Sequence, residues 1–251
     1  MGPLDQLKVK IFADGADMNS IIQLYKNPLI KGFTTNPTLM RAAGVLDYAE
    51  FAHRVLQAVT DRPFSFEVFA DDFDAIEDQA LLIASWGKHV VVKIPVTNTK
   101  GQSSGPLIKK LAAAGVQMNV TAMMTLRQVH DVAEVLANAP HSYISVFAGR
   151  IADTGRDPIP IMAKAVEILA PHPHLELIWA SPRELLNIFQ ADAIGCQVIT
   201  VTIDLLKKLP SVGKDLDVFS LETVKMFYDD AARAGYELAT RPVAVANSSA
   251  R

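Results

Sequence analysis

A lysine stands inside the apolar run "HVVVKIPV", residues 89–96. Taking an ammonium out of water costs several kcal/mol unless it loses its proton or gains a partner. Two readings of Lys93 follow. A desolvated lysine, its pKa drawn down from a reference near about 10.4, can attack a carbonyl and form a Schiff base. The imine then withdraws electrons and permits cleavage of the adjacent carbon–carbon bond. Alternatively, Lys93 is half of a buried structural ion pair. Both readings need carboxylates, and the chain offers Asp14 after "KIFA" and Glu67 in "FSFEVF". Both are candidates for the proton shuttles that carbinolamine dehydration and deprotonation of a substrate hydroxyl require.

Further polar residues punctuate apolar runs. Thr34, Thr35 and Asn36 follow "IKGF", Asn119 and Thr121 lie in "MNVTAM", Ser145 and Arg150 flank "VFAG", and Ser181 and Arg183 lie in "ASPR". Each has a structural alternative. Asp14 before glycine suits a loop or cap, Thr34 to Asn36 before Pro37 suit a capped turn, and Thr121 suits the cap of a helix starting near 123. Ser181 before Pro182 reads as an N-cap with proline at the first helical position, and the arginines suit solvated surface. A helix start at Ser181 would also present free N–H groups. With Arg150 and Arg183, it points to a site for a phosphate-sized anion.

The elements that must position these residues are eight short β-rich runs, "LKVKIFA", "IKGFT", "FSFEVFA", "HVVVKIP", "VQMNVT", "YISVFA", "LELIWAS" and "QVITVT". Helical candidates lie between them, among them 72–87, 103–114, 125–138 and 157–170, with Asp72 and Ser103 as N-caps and Gly87 and Gly115 as stops. Eight β/α pairs predict a closed (β/α)8 TIM barrel, in which chemistry is built at the C-terminal ends of strands. Strand alternation sorts the candidates. Ser65 shares a face with Glu67, Asn119 with Thr121, Ser145 with Phe147, and Lys93 with Val91; the opposite faces are apolar. A further helix is expected over 216–237, making one domain of 1–237, and the tail 238–251 is expected to be disordered.

Composition narrows the function. The 251 residues are 50% hydrophobic and carry a net charge of −3 from 24 basic and 27 acidic residues. That is enough for a large core and offers no basic footprint for nucleic acid or an anionic membrane. With one cysteine, Cys196, no internal disulfide can form. With no signal-like start and no apolar run near the roughly 18 residues of a membrane helix, a soluble cytoplasmic protein is expected. The six histidines are scattered and neither a P-loop nor GxGxxG occurs, so neither metal nor organic cofactor is expected.

Together "GFTTNPTL", "VVVKIPVT", "NVTAM", "SVFAGRI" and "ASPRE", in this order, closely resemble the transaldolase family and its short relatives, the fructose-6-phosphate aldolases, over residues 8–237. The resemblance implies Lys93 as the Schiff-base lysine on the fourth barrel strand and Asp14 as acid/base for the substrate hydroxyl. It implies Glu67 and Thr121 as positioners of a catalytic water, Asn36 and Asn119 as substrate or Schiff-base contacts and Ser145 as a contact to the sugar; Thr34, at the same strand end as Asn36, is a further candidate for substrate binding. Arg150, Ser181 and Arg183 would hold the phosphate. Glu67 and Phe147 match the transaldolase branch, whereas the aldolase branch usually carries glutamine and tyrosine there. A phenylalanine offers no proton to the bound carbanion, which implies transfer of a dihydroxyacetone unit between sugar phosphates rather than its release. The alternatives are a fructose-6-phosphate aldolase or a transaldolase for a sulfonated sugar. "FADGAD" and Pro182 depart from the usual pattern, which leaves the shape of the anion site open. The resemblance also implies a homo-oligomer.

Overall fold

The computed structural model describes residues 2–238. The chain divides into two compact units, Met1–Pro210 and Ser211–Arg251. In the first, eight parallel strands close into a barrel in chain order. β1 (Lys10–Asp14) leads through α1 (Met18–Tyr25) to β2 (Ile30–Thr34). α2 (Pro37–Ala42) and α3 (Tyr48–Ala58) follow, then β3 (Phe64–Glu67), α4 (Phe73–Ala84), β4 (Val90–Pro95), α5 (Gly105–Ala113), β5 (Met118–Met123) and α6 (Leu126–Val135). β6 (Ser142–Val146) is followed by α7 (Ala148–Ala152) and α8 (Ile159–Leu169), β7 (Leu175–Trp179) by α9 (Leu186–Ala193), and β8 (Val198–Thr202) by α10 (Ile203–Leu206). Every β-rich run read from the sequence forms a strand, so the TIM-barrel architecture is as expected. No helix among the described residues is long and apolar enough to cross a membrane.

Alternation along the strands separates two apolar regions. Phe64, Phe66, Val90, Val92, Ile94, Met118, Val120 and Ile144 join the main core together with helix residues such as Ile83, Ile108 and Val129. Burying each such side chain stabilises the fold by roughly 1.5–3 kcal/mol. Phe12, Val91, Tyr143, Ile178 and Val198 form a separate cluster, which the same alternation assigns to the barrel interior. Phe12 and Tyr143 meet edge to face at 5.6 Å. Gly32 on β2 is required by this filling, because a Cβ there would lie 2.7 Å from the Phe12 ring. Lys10 on β1 and Glu176 on β7 share the inward parity of Phe12 and Ile178, and they form an ion pair at 2.5 Å. The interior is therefore charged at one end, apolar in the middle and polar at the other.

Local chemistry sets the helix starts. Asp17, Asn36, Asp47 and Asp72 each accept a backbone amide as N-caps, and Thr125 forms a capping box with Gln128. Gly115, with φ +80°, ends α5 as expected. Ser104 rather than Ser103 is the N-cap residue of α5, although the Ser103 hydroxyl accepts the Gly105 amide at 3.1 Å. α4 stops at Ala84, short of Gly87. The second unit holds α11 (Leu216–Ala234), begun by Asp215, whose side chain accepts the Val218 amide, and ended where Gly235 turns left-handed. The helix expected over 216–237 thus ends at Ala234; beyond Leu238 the expected disordered tail lies outside the described residues.

Candidate active site

The carboxyl ends of the strands surround a cavity of about 460 Å³. Register puts its central residues side by side: Glu67 on β3 pairs with Lys93 on β4, Lys93 with Asn119 on β5, and Asp14 on β1 with Thr34 on β2. Parity then aims alternate side chains inward, and all twelve site residues read from the sequence line this one cavity. Two threonines of the same cavity, Thr200 and Thr202 on β8, were missed. Their signal was present in "QVITVT", where they alternate with Ile199 and Val201.

Lys93 is 7% exposed, and its Nζ lies 2.9 Å from Glu67 Oε2. The Thr35 carbonyl is a longer acceptor at 3.4 Å. Neither of the two opening readings of Lys93 is discarded by this contact, since a paired ammonium becomes a nucleophile once its proton moves to the carboxylate beside it. Burial pushes the Asp14 carboxyl above the usual carboxylate range. The Lys93 charge and the Thr34 hydroxyl oppose that shift without cancelling it. Thr34 donates to Asp14 Oδ1 at 2.7 Å, which leaves the second carboxylate oxygen for a ligand. Ser145 donates to Asn119 Oδ1 at 2.7 Å, and Asn119 in turn donates to Ser65 at 3.2 Å. This chain fixes the orientation of the Asn119 amide.

Two of the structural alternatives fail. Thr121 does not cap a helix: α6 starts at Leu126 and Thr125 caps it. The buried Thr121 hydroxyl has no partner among the described residues. It sits at an irregularity of β5, where Ala122 takes φ +65° and the pairing register with β6 shifts. A non-glycine residue held in that region costs of order 1–3 kcal/mol and persists only where the surroundings impose it. Ser181 likewise begins no helix. It has φ +61°, and α9 starts at Leu186, so helix-start amides are not available there. Asn36 fills both roles, capping α2 through Leu39 N at 3.0 Å while lining the cavity.

The anion corner is built by side chains instead. Arg183 donates to Ser181 Oγ at 2.9 Å and to Asp153 Oδ1 at 2.8 Å, with a second bond to Asp153 Oδ2. This bidentate contact holds Asp153 below the usual carboxylate range. The Arg150 guanidinium lies 5.7 Å from the centroid of the Phe147 ring. Gly149 makes the corner possible, since a Cβ on it would lie 1.6 Å from the Ser181 carbonyl oxygen. Two guanidiniums and one hydroxyl can bind an anion, in competition with the Asp153 carboxylate, at one end of a cavity whose centre holds an amine and two carboxyl groups.

The chain as a whole is similar to known proteins. A family model described as Transaldolase/Fructose-6-phosphate aldolase matches residues 11–242. A probable transaldolase of Caldicellulosiruptor saccharolyticus is 31% identical over 203 residues, covering 80% of this chain and 89% of its own. One of Dehalococcoides mccartyi is 32% identical over 202 residues, covering 80% and 90%. Among solved structures, dihydrodipicolinate synthase from Rhodopseudomonas palustris superposes with a TM-score of 0.56 over 93% of this chain and 82% of its own; at 14% identity the likeness is one of fold.

Proposed function

Because the chain belongs to the transaldolase/fructose-6-phosphate aldolase family, we propose that it is a transaldolase that moves a dihydroxyacetone unit from a ketose phosphate, such as fructose 6-phosphate or sedoheptulose 7-phosphate, to an aldose phosphate through a Schiff base on Lys93. The observation that carries this reading is the buried Lys93 amine 2.9 Å from Glu67 in a cavity that also holds Asp14.

In this reading Lys93 transfers a proton to Glu67 and its Nζ attacks the ketose C2. The carbinolamine that forms loses its hydroxyl as water and leaves an iminium ion. Asp14, whose burial raises its proton affinity, removes the proton of the C4 hydroxyl. The C3–C4 bond breaks, its electron pair moves into the iminium as an enamine, and the aldehyde departs. An incoming aldose accepts the C3 carbon, its carbonyl oxygen takes the proton back from Asp14, and hydrolysis of the new iminium returns Lys93. Glu67 and the Thr121 hydroxyl, which has no partner among the described residues, would hold the water of the dehydration and hydrolysis steps. Asn36, Asn119 and Ser145 would contact the bound three-carbon unit, and Arg150, Arg183 and Ser181 the terminal anion.

Transfer rather than release is supported by Phe147, which lines the cavity and carries no hydroxyl to protonate the enamine. The test is incubation with fructose 6-phosphate, borohydride reduction and peptide mapping, with a three-carbon adduct on Lys93 as the expected result. Its absence rejects the proposal. Free dihydroxyacetone released without an acceptor at a rate comparable to transfer would make the protein an aldolase instead.

A further inference from the structure

Where the Glu67 carboxylate sits depends on what holds the end of β3. Strands β2 and β3 are hydrogen-bonded at alternate residues: the Phe33 amide donates to the Pro63 carbonyl at 2.9 Å, and the Thr35 amide to the Ser65 carbonyl at 3.1 Å. The next rung of a parallel ladder would run from the amide of residue 37 to the Glu67 carbonyl. Residue 37 is proline, which has no N–H to give. Pro37 is moreover the first residue of α2, so the ladder ends with the Thr35–Ser65 bond and β2 gives the Glu67 carbonyl no backbone donor.

Tyr48 takes over that bond. Its hydroxyl donates to the Glu67 carbonyl at 2.8 Å. Tyr48 is the first residue of α3, whose start is set by Asp47 accepting the Glu50 amide at 2.8 Å. Its ring is held among Phe69, Trp86 and Phe66, with centroids 5.4, 6.1 and 6.4 Å away. Burial pushes the phenol above its ordinary value, so it stays a proton donor across the working pH range. On the β4 side the Val68 amide donates to the Lys93 carbonyl at 3.0 Å. The peptide after Glu67 is thus held from both flanks, by β4 and by Tyr48.

We propose that Tyr48 is a positioning residue: it supplies the donor that β2 does not give the Glu67 carbonyl and so holds the Glu67 carboxylate on the Lys93 amine. The proposal rests on the roles given above to Lys93 and Glu67. Tyr48 is not among the residues that line the cavity, and it acts through the backbone of Glu67.

Tyr48→Phe keeps the ring in its aromatic surroundings and removes only the donor. Steady-state transfer from fructose 6-phosphate, measured below the unfolding midpoint of each variant, is expected to show kcat lowered about tenfold, the size of one neutral hydrogen bond. KM should stay within about twofold, as for a group acting on the chemical step. Replacing Tyr48 with 4-aminophenylalanine, which restores a donor at the same reach, should regain most of the loss. A Tyr48→Phe enzyme with wild-type kcat, or one whose loss lies wholly in KM, overturns the proposal, even if it unfolds at a lower temperature, provided the borohydride adduct still forms on Lys93 in the wild type. Absence of that wild-type adduct overturns the underlying reading, and this proposal with it.

Discussion

Lys93→Met removes the ammonium and keeps an unbranched side chain of similar length in its place. Lys93 and Glu67 have side-chain exposures of 8% and 17%, so the substitution leaves a largely desolvated carboxylate without its partner. Breaking a fully buried pair in this way costs about 3–5 kcal/mol. Glu67 retains some contact with the cavity, which places the expected loss at or just below the lower end of that range, about 2–3 kcal/mol at pH 7. Asp14 adds little to that loss, because without the attraction of Lys93 it holds its proton to higher pH. Adding Glu67→Gln removes the orphaned charge and should restore at least about 1 kcal/mol. Urea unfolding at pH 7 with a common m-value reads both differences. Both variants should be inactive and unlabelled by borohydride, so stability alone distinguishes them. A Lys93→Met protein as stable as wild type, or a double variant no more stable than Lys93→Met, would refute the argument that the pair is energetically coupled in a water-poor cavity.

Two further outcomes follow from the site. The Asp14 carboxyl binds its proton more tightly folded than unfolded, so its contribution to stability is present below its unfolded pKa of about 3.9 and is lost as pH rises through the folded value. Asp14→Asn, which keeps an acceptor for Thr34, should therefore raise the thermal midpoint at pH 7, with the gain vanishing below about pH 4, while transfer falls about 10²–10⁴-fold; a variant equally stabilised at pH 3 and pH 7 contradicts this. Gly149→Ala brings a Cβ to 1.6 Å from the Ser181 carbonyl and must displace the loop carrying Ser181 and Arg183, so KM for a phosphorylated donor should rise about tenfold or more, and an unchanged KM would show that this loop does not bind the anion.

Much of this was legible in the chain itself. The eight strands and the parity of "FSFE", "VVVK" and "MNVT" follow from β-branched runs with a period of two, a signal local to each strand. That parity, combined with the rule that barrel chemistry sits at carboxyl ends, was enough to bring Lys93, Glu67, Asp14 and Asn119 to one cavity. Caps were less secure where two hydroxyls compete, as at Ser103 and Ser104, or where Thr121 and Thr125 stand at either side of an irregular strand end. The Ser181-Pro182 pair has the local chemistry of a helix start, yet the chain runs to Leu186 before α9 begins. There the fit of Gly149 in α7 against the Ser181 carbonyl in the loop after β7 prevails over local preference.

The sequence by itself determined the alternation, the closing of eight β/α pairs into a barrel and the residue types that line its mouth, because these depend on patterns within a few residues. Only the tertiary structure decided which charges pair. It set Glu67 rather than Asp14 at 2.9 Å from Lys93, gave Arg183 to Asp153, and brought the hydroxyl of Tyr48 to the Glu67 carbonyl, for which β2 has no donor. Those contacts join residues distant in the chain and depend on strand register and barrel closure, which no local pattern specifies to the ångström on which hydrogen bonds depend.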